Sequence, residues 1–217
     1  MRSTSLEPRT VDCELVAIDG HHGHSHDHHE ERAELVSLGF WLYVISDCLL
    51  FATLFASHAV MGQNYAGGVR PQEVFMVGFL AGQTALLLLS SFTFGMAMLS
   101  AYVNDLLKTK LWLGLTATLA IAFLAMEIYE FLHLAHLGAT PQTSGYWSSF
   151  YALVATHGIH VFVGLVWMGV LIFHFNRDGF SHDNMMRLSC LSVFWHFLDI
   201  VWICVFSFVY LKGAIII

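Results

Sequence analysis

Eight side chains in this 217-residue chain stand inside long apolar runs although their types hold protons or metal ions: Asp47, Glu127, Glu130, His133, His157, His160, His196 and Asp199. Glu130-x-x-His133 has the spacing of carboxylate-bridged di-iron bundles, which take two such motifs and two further glutamates on four helices. The chain has one such motif. His157, His160 and His196 could ligate haem from two helices. The first two lie one turn apart on one helix, and His196 has an acid three residues on, which suits a structural hydrogen bond. A third chemistry is divalent-metal transport, which the tract His21-His22-Gly23-His24-Ser25-His26-Asp27-His28-His29 together with intramembrane His and Glu would suit. The broken, proline-interrupted helices of a transport site are missing. Against all three stands plain pairing, in which acids and histidines meet across a bundle and fix helix register, some of them also moving protons.

Spacing groups these residues. Glu127, Glu130 and His133 lie three apart, as do His157 and His160, and His196 and Asp199, so each set occupies one helical face. An acid at mid-membrane depth costs about 2.5–3.5 kcal/mol on insertion scales, so four would approach ~10 kcal/mol if they met lipid. They must turn inward.

The elements that position them are five apolar runs, at roughly 38–62, 74–102, 111–136, 146–174 and 188–214. Each reaches the ~20 residues that a spanning helix needs. Strand alternation is absent, which argues against a β-barrel. The links carry turn formers: Gly67-Gly68 with Pro71, Asn104-Asp105, Gly138 with Pro141 and Gly145, and Asp178-Gly179. Trp41, Trp112 and Trp147 near span starts fit an interfacial belt. Gly78-xxx-Gly82 and Ser91-xxx-Gly95 in the second run would allow close helix approach. The fold expected is an all-α membrane protein, a bundle of five transmembrane helices over residues 37–217 behind a polar, disordered His-rich tail at 1–36.

Composition agrees. The chain is 57% hydrophobic and only 12% charged, against roughly 25% charged in soluble domains. The net charge of −7 gathers in the N-terminal tail, and no basic, aromatic-interleaved stripe suggests nucleic acid. Cys13, Cys48, Cys190 and Cys204 form no CxxC, and the last three read as buried small hydrophobes. The first 35 residues lack the apolar core of a cleaved signal, so the first span is expected to act as its own signal. Arg32, Lys108, Lys110, Arg177 and Arg187 fall on the N-terminal side of the membrane, and Arg70 and Lys212 on the other. Five against two puts the N-terminus in the cytoplasm and the C-terminus in the periplasm. No metal site of this chain's own is complete, and the His-rich tract is assigned no essential role.

Three stretches, in order, resemble a known family. They are Met126-Glu127-Ile128-Tyr129-Glu130-Phe131, then Ala155-Thr156-His157-Gly158-Ile159-His160-Val161, then Phe194-Trp195-His196-Phe197-Leu198-Asp199-Ile200-Val201-Trp202. Together they resemble subunit III of the haem–copper respiratory oxidases, over residues 38–213. Gly39-Phe40-Trp41-Leu42-Tyr43 and Ser46-Asp47-Cys48, with the His-rich tail, are most similar to the five-helix form in bacterial cytochrome bo-type ubiquinol oxidases. The longer mitochondrial-type form has seven helices and a glutamate where Asp47 stands, on the helix facing the catalytic subunit.

The resemblance implies a non-catalytic subunit with no cofactor of its own, beside a subunit I that carries haem and copper, with subunit II and a small subunit IV. It implies bound phospholipid, and support of assembly, sustained turnover and proton uptake. The complex would oxidise ubiquinol and reduce oxygen to water in aerobic respiration at the bacterial inner membrane, pumping protons. A cytochrome c oxidase subunit is the alternative within the family, and a divalent-metal transporter the alternative outside it. On this reading no residue is catalytic and Asp47 is nearest a proton path. His196 and Asp199 pair structurally, while Glu127, Glu130, His157 and His160 form a second inward cluster. Arg177, His182 and Arg187 on a cytoplasmic loop are candidates for anionic lipid headgroups.

Overall fold

The computed structural model describes the backbone of residues 15–62, 64 and 77–211, and side chains from Leu35 onward within these, apart from Val77, Asp178 and His182. Backbone packing separates residues 1–42 from residues 43–217. In the first unit the described backbone, from Leu15, is helical and opens helix α1, Leu15–Met61. The disorder expected over 1–36 concerns, at 1–14, residues outside those described, as are the side chains of the His-rich tract.

The second unit holds the rest of α1 and four further helices: α2, Val77–Tyr102; α3, Leu106–His136; α4, Gly145–Asp178; and α5, His182–Val205. A π-helical turn, Phe206–Leu211, continues α5. Five helices are long and apolar enough to cross a membrane, over Leu35–Met61, Gly78–Tyr102, Leu106–His136, Gly145–Arg177 and Asp183–Leu211, and the described residues contain no strand.

Besides α1, helices α3, α4 and α5 begin earlier than apolarity predicts, because caps set backbone starts while hydrocarbon sets only the apolar stretch. The side chain of Asp105 accepts from the Lys108 backbone N–H, Ser144 from Trp147 and Ser181 from Asn184. Polar starts result, with Lys108 and Lys110 on α3 and Asp183 and Arg187 on α5. Lys108 Nζ, 2.8 Å from Asp105 Oδ2, hydrogen-bonds that carboxyl and holds it below the usual carboxylate range. The links at 65–76, with Gly67-Gly68, Arg70 and Pro71, and the end at 212–217, with Lys212, lie outside the described residues.

Helices α2 to α5 pack as a ring, each against the next and α5 back on α2. The core is aromatic: Phe94, Phe123, Phe150, Trp147, Trp195 and Trp202 are all buried. Trp195 Nε1–H donates to Ser90 Oγ and Trp202 Nε1–H to Thr84 Oγ1, tying α5 to α2. Close approach is made at glycines other than those the small-residue spacing singles out. A Cβ on Gly164 would meet Trp195 Cζ3 at 3.1 Å, whereas Gly78 and Gly95 face nothing within 4 Å among the described residues. The cysteines also depart from expectation, since Cys48 is exposed and Cys190 and Cys204 are half-buried, all three as free thiols. In a membrane-spanning chain the outward surface is itself apolar, so burial and apolarity separate.

Candidate functional site

The intramembrane polar residues fall into three sets. In the first, α1 brings Asp47 against α4. His160 Nε2 lies 3.0 Å from Asp47 Oδ1, and His160 Nδ1 lies 2.6 Å from the Thr156 carbonyl one turn earlier on α4. Asp47 is buried, with Oδ2 free of a hydrogen-bond partner among the described residues. Phe51, one turn along α1, covers the His160 ring at 5.3 Å and touches the His157 ring at 6.4 Å between centroids.

A carbonyl oxygen only accepts, so His160 Nδ1 carries a hydrogen. The contact from Nε2 to Asp47 then needs a second hydrogen, on the ring or on the acid. The pair therefore holds one proton more than a neutral ring facing a carboxylate, whichever atom carries it.

The second set lies between α2, α3, α4 and the π-helical turn. Glu130 Oε2 accepts from Gln83 Nε2–H at 3.2 Å and from the Tyr210 hydroxyl at 3.3 Å. Glu127, one turn earlier, is buried with both oxygens lacking a partner among the described residues. Its carboxyl lies on the α4 backbone at Gly158, where an added Cβ would stand 2.6 Å from Oε1. His157 is fully buried, and neither ring nitrogen has a partner among the described residues. Its ring is enclosed by Phe51, Phe123 and Trp202, the last at 5.2 Å. His160 thus joins Asp47, while His157 is held among aromatic rings and makes no hydrogen bond to either glutamate among the described residues.

The third set is at the α2–α5 contact. His196 Nδ1 lies 2.8 Å from Ser91 Oγ and 3.8 Å from Asp199 Oδ2, an ion-pair separation beyond hydrogen-bond reach. Serine, rather than the acid three residues on, is the nearer partner. His133 is on the outside of α3, its ring stacked on Tyr129.

Sequence reasoning missed several participants. Gln83 and Tyr210 read as ordinary helix residues, yet they supply both donors to Glu130. Thr156 acts through its backbone, which no side-chain motif announces. His58, buried near the end of α1, meets Ser149 Oγ at 3.0 Å across to α4. Gly158 is visible only as the residue after His157. Arg177 and Arg187 are exposed at the α4 end and the α5 start, so both border the same short link; the His182 side chain is outside the described set. Among the described residues, no group of three or more His, Cys, Asp and Glu side chains converges on a position where a metal ion could sit.

The family model described as cytochrome c oxidase subunit III matches residues 17–214. Cytochrome bo(3) ubiquinol oxidase subunit 3 of Pseudomonas putida is 49% identical over 185 residues, 85% of this chain and 89% of the relative. The protein of the same name from Pseudomonas aeruginosa is 48% identical over 89% of this chain and 92% of its own length. Quinol oxidase subunit 3 of Bacillus subtilis is 38% identical over 88% and 96%. With five apolar helices and bacterial oxidase relatives throughout, the protein is a multi-pass protein of the inner membrane. The chain belongs to the cytochrome c oxidase subunit III family of the haem–copper oxidases.

Proposed function

We propose that this chain is the non-catalytic third subunit of a terminal oxidase that takes electrons from ubiquinol and reduces oxygen to water. The observation that carries the reading is similarity across nearly the whole chain to relatives named for quinol oxidation in three bacteria. The bundle suits a supporting role, because its buried polar groups meet each other across helices: Asp47 with His160, Glu130 with Gln83 and Tyr210. Haem and copper belong to subunit I, and subunits I, II and a small subunit IV are the partners.

Asp47 and His160 are the proton-holding pair. Asp47 stands 12 residues after Leu35 and 14 before Met61 in its span, so it lies near the bilayer midplane. Glu130 stands 6 residues before His136, about 9 Å along the axis from that end of α3. Buried protonatable groups therefore extend from mid-membrane toward one surface. The N-terminus is cytoplasmic by the excess of Lys and Arg on that side, and Arg177, His182 and Arg187 there hold anionic phospholipid headgroups.

The test is to purify the complex through this chain and follow oxygen uptake with ubiquinol and with reduced cytochrome c as separate donors. Uptake driven by ubiquinol alone is expected. Uptake driven by cytochrome c, with none from ubiquinol, contradicts the quinol assignment and leaves the family membership standing.

A further inference from the structure

One polar set does not turn inward. The His196 side chain is 48% exposed on the outside of the bundle, while its Nδ1 is held 2.8 Å from Ser91 Oγ. The ring edge packs on Phe94. Asp199 is buried behind it, and neither of its carboxylate oxygens has a hydrogen-bond partner among the described residues. The outer surface around this set is hydrocarbon, formed by Leu88 and Phe92 on α2 and Ile200 and Ile203 on α5.

Depth identifies what can cover it. His196 stands 13 residues after Asp183 and 15 before Leu211, and Ser91 stands 13 after Gly78 and 11 before Tyr102. At 1.5 Å per residue His196 is about 20 Å along the axis from either end of its span. Phospholipid headgroups begin about 15 Å from the midplane and do not reach it. Acyl chains reach it but offer no hydrogen bond, and a polar group left bare in hydrocarbon is costly. With Nδ1 engaged by Ser91, the other ring nitrogen, Nε2, has no partner among the described residues.

We infer that Ser91, His196 and Asp199 mark the docking site of a transmembrane helix from another subunit, which presents a hydroxyl or carboxamide side chain to His196 Nε2 at mid-membrane depth. Such a group can donate or accept, and so fits the imidazole in either proton arrangement. The inference rests on the reading of this chain as one subunit of a larger membrane complex. It assigns the α2–α5 face to protein rather than to lipid.

The test uses the assembled complex in native membranes, with a photo-crosslinking residue at Ile200 or Leu88 so that His196 stays intact. The expected result is an adduct with one copurifying transmembrane subunit. His196→Leu should reduce its yield about three- to tenfold, the range expected for one interhelical hydrogen bond, and His196→Gln should retain it. Adducts with lipid or quinone only, in a complex that still copurifies, overturn the inference and leave the subunit reading intact. No copurifying partner at all overturns both.

Discussion

His160 Nε2 lies 3.0 Å from Asp47 Oδ1 while its opposite ring nitrogen meets the Thr156 carbonyl at 2.6 Å, which places a hydrogen on the nitrogen facing the carbonyl. Without that carbonyl the ring could take the tautomer that donates to a carboxylate from Nε2 and remain neutral. With it, the pair is either imidazolium and carboxylate or imidazole and carboxylic acid. Both arrangements are neutral as a unit, which suits a site at mid-membrane depth where an isolated charge is costly. They differ only in where one proton sits.

Substitutions at Asp47 separate packing from proton content. Asp47→Asn retains a donor toward His160 Nε2, so the complex should assemble with its thermal midpoint nearly unchanged. It removes the shiftable proton, so sustained turnover should fall while the initial rate holds. Asp47→Leu leaves the half-buried His160 ring nitrogen without a partner and should destabilise by about 1–3 kcal/mol. Thermal melts and long-course oxygen uptake on the two variants distinguish these effects; equal turnover in Asp47→Asn and the parent removes Asp47 from any proton role.

Gly158 should tolerate no side chain while Glu127 keeps its place. A Cβ there would stand 2.6 Å from Oε1 and 2.9 Å from Oε2, so Gly158→Ala should destabilise by about 1–3 kcal/mol, the usual range for overpacking. Paired with Glu127→Ala it should cost markedly less than the sum of the two single changes, because the clash is removed with the carboxyl. A thermal-melt double-mutant cycle that comes out additive would show that the two sites are not in contact.

Tyr210→Phe removes one of the two donors on Glu130 Oε2 with almost no change of shape. The expected loss is about 1–3 kcal/mol for a buried carboxyl left short of a hydrogen bond. Gln83→Leu should act in the same direction, and the pair should be non-additive, since both donors serve one oxygen. If Tyr210→Phe melts with the parent, the π-helical turn does not stabilise Glu130.

Orientation is checked by cysteine accessibility in intact cells. A cysteine placed at Asn104, in the α2–α3 link, should be shielded from a membrane-impermeant maleimide, and one at Thr143, before α4, should react. The reverse pattern would place the N-terminus outside.

Much of this architecture was legible in the residues. Five apolar runs gave five helices because length and apolarity are local properties of a chain that must cross hydrocarbon. The four acids turned inward for the same reason, whereas His133 and His196, three residues from an acid, lie on the outside. Partner choice was less readable. His160 has His157 one turn away on the same helix, yet it pairs with Asp47, 113 residues distant; only packing of α1 on α4 decides that. His196 pairs with Ser91 rather than mainly with Asp199, because α2 presents a hydroxyl at that height. Gln83 and Tyr210 were invisible, since nothing local marks a glutamine or tyrosine as a donor to a glutamate on another helix. The earlier starts of α3 and α5 came from Asp105 and Ser181, whose capping role was present in sequence but obscured by the polar starts.

The role of this chain is decided most directly by where the redox centres lie once it is removed. The measurement is purification through this chain in mild detergent, followed by selective stripping of the chain and a visible spectrum with metal analysis of both fractions. Haem absorbance is expected to copurify with larger partners and to stay with them after stripping, and the released chain to carry no stoichiometric iron or copper. Iron or copper remaining in stoichiometric amount on the released chain would contradict a non-catalytic role, and would return His157, His160 and His196 to consideration as ligands.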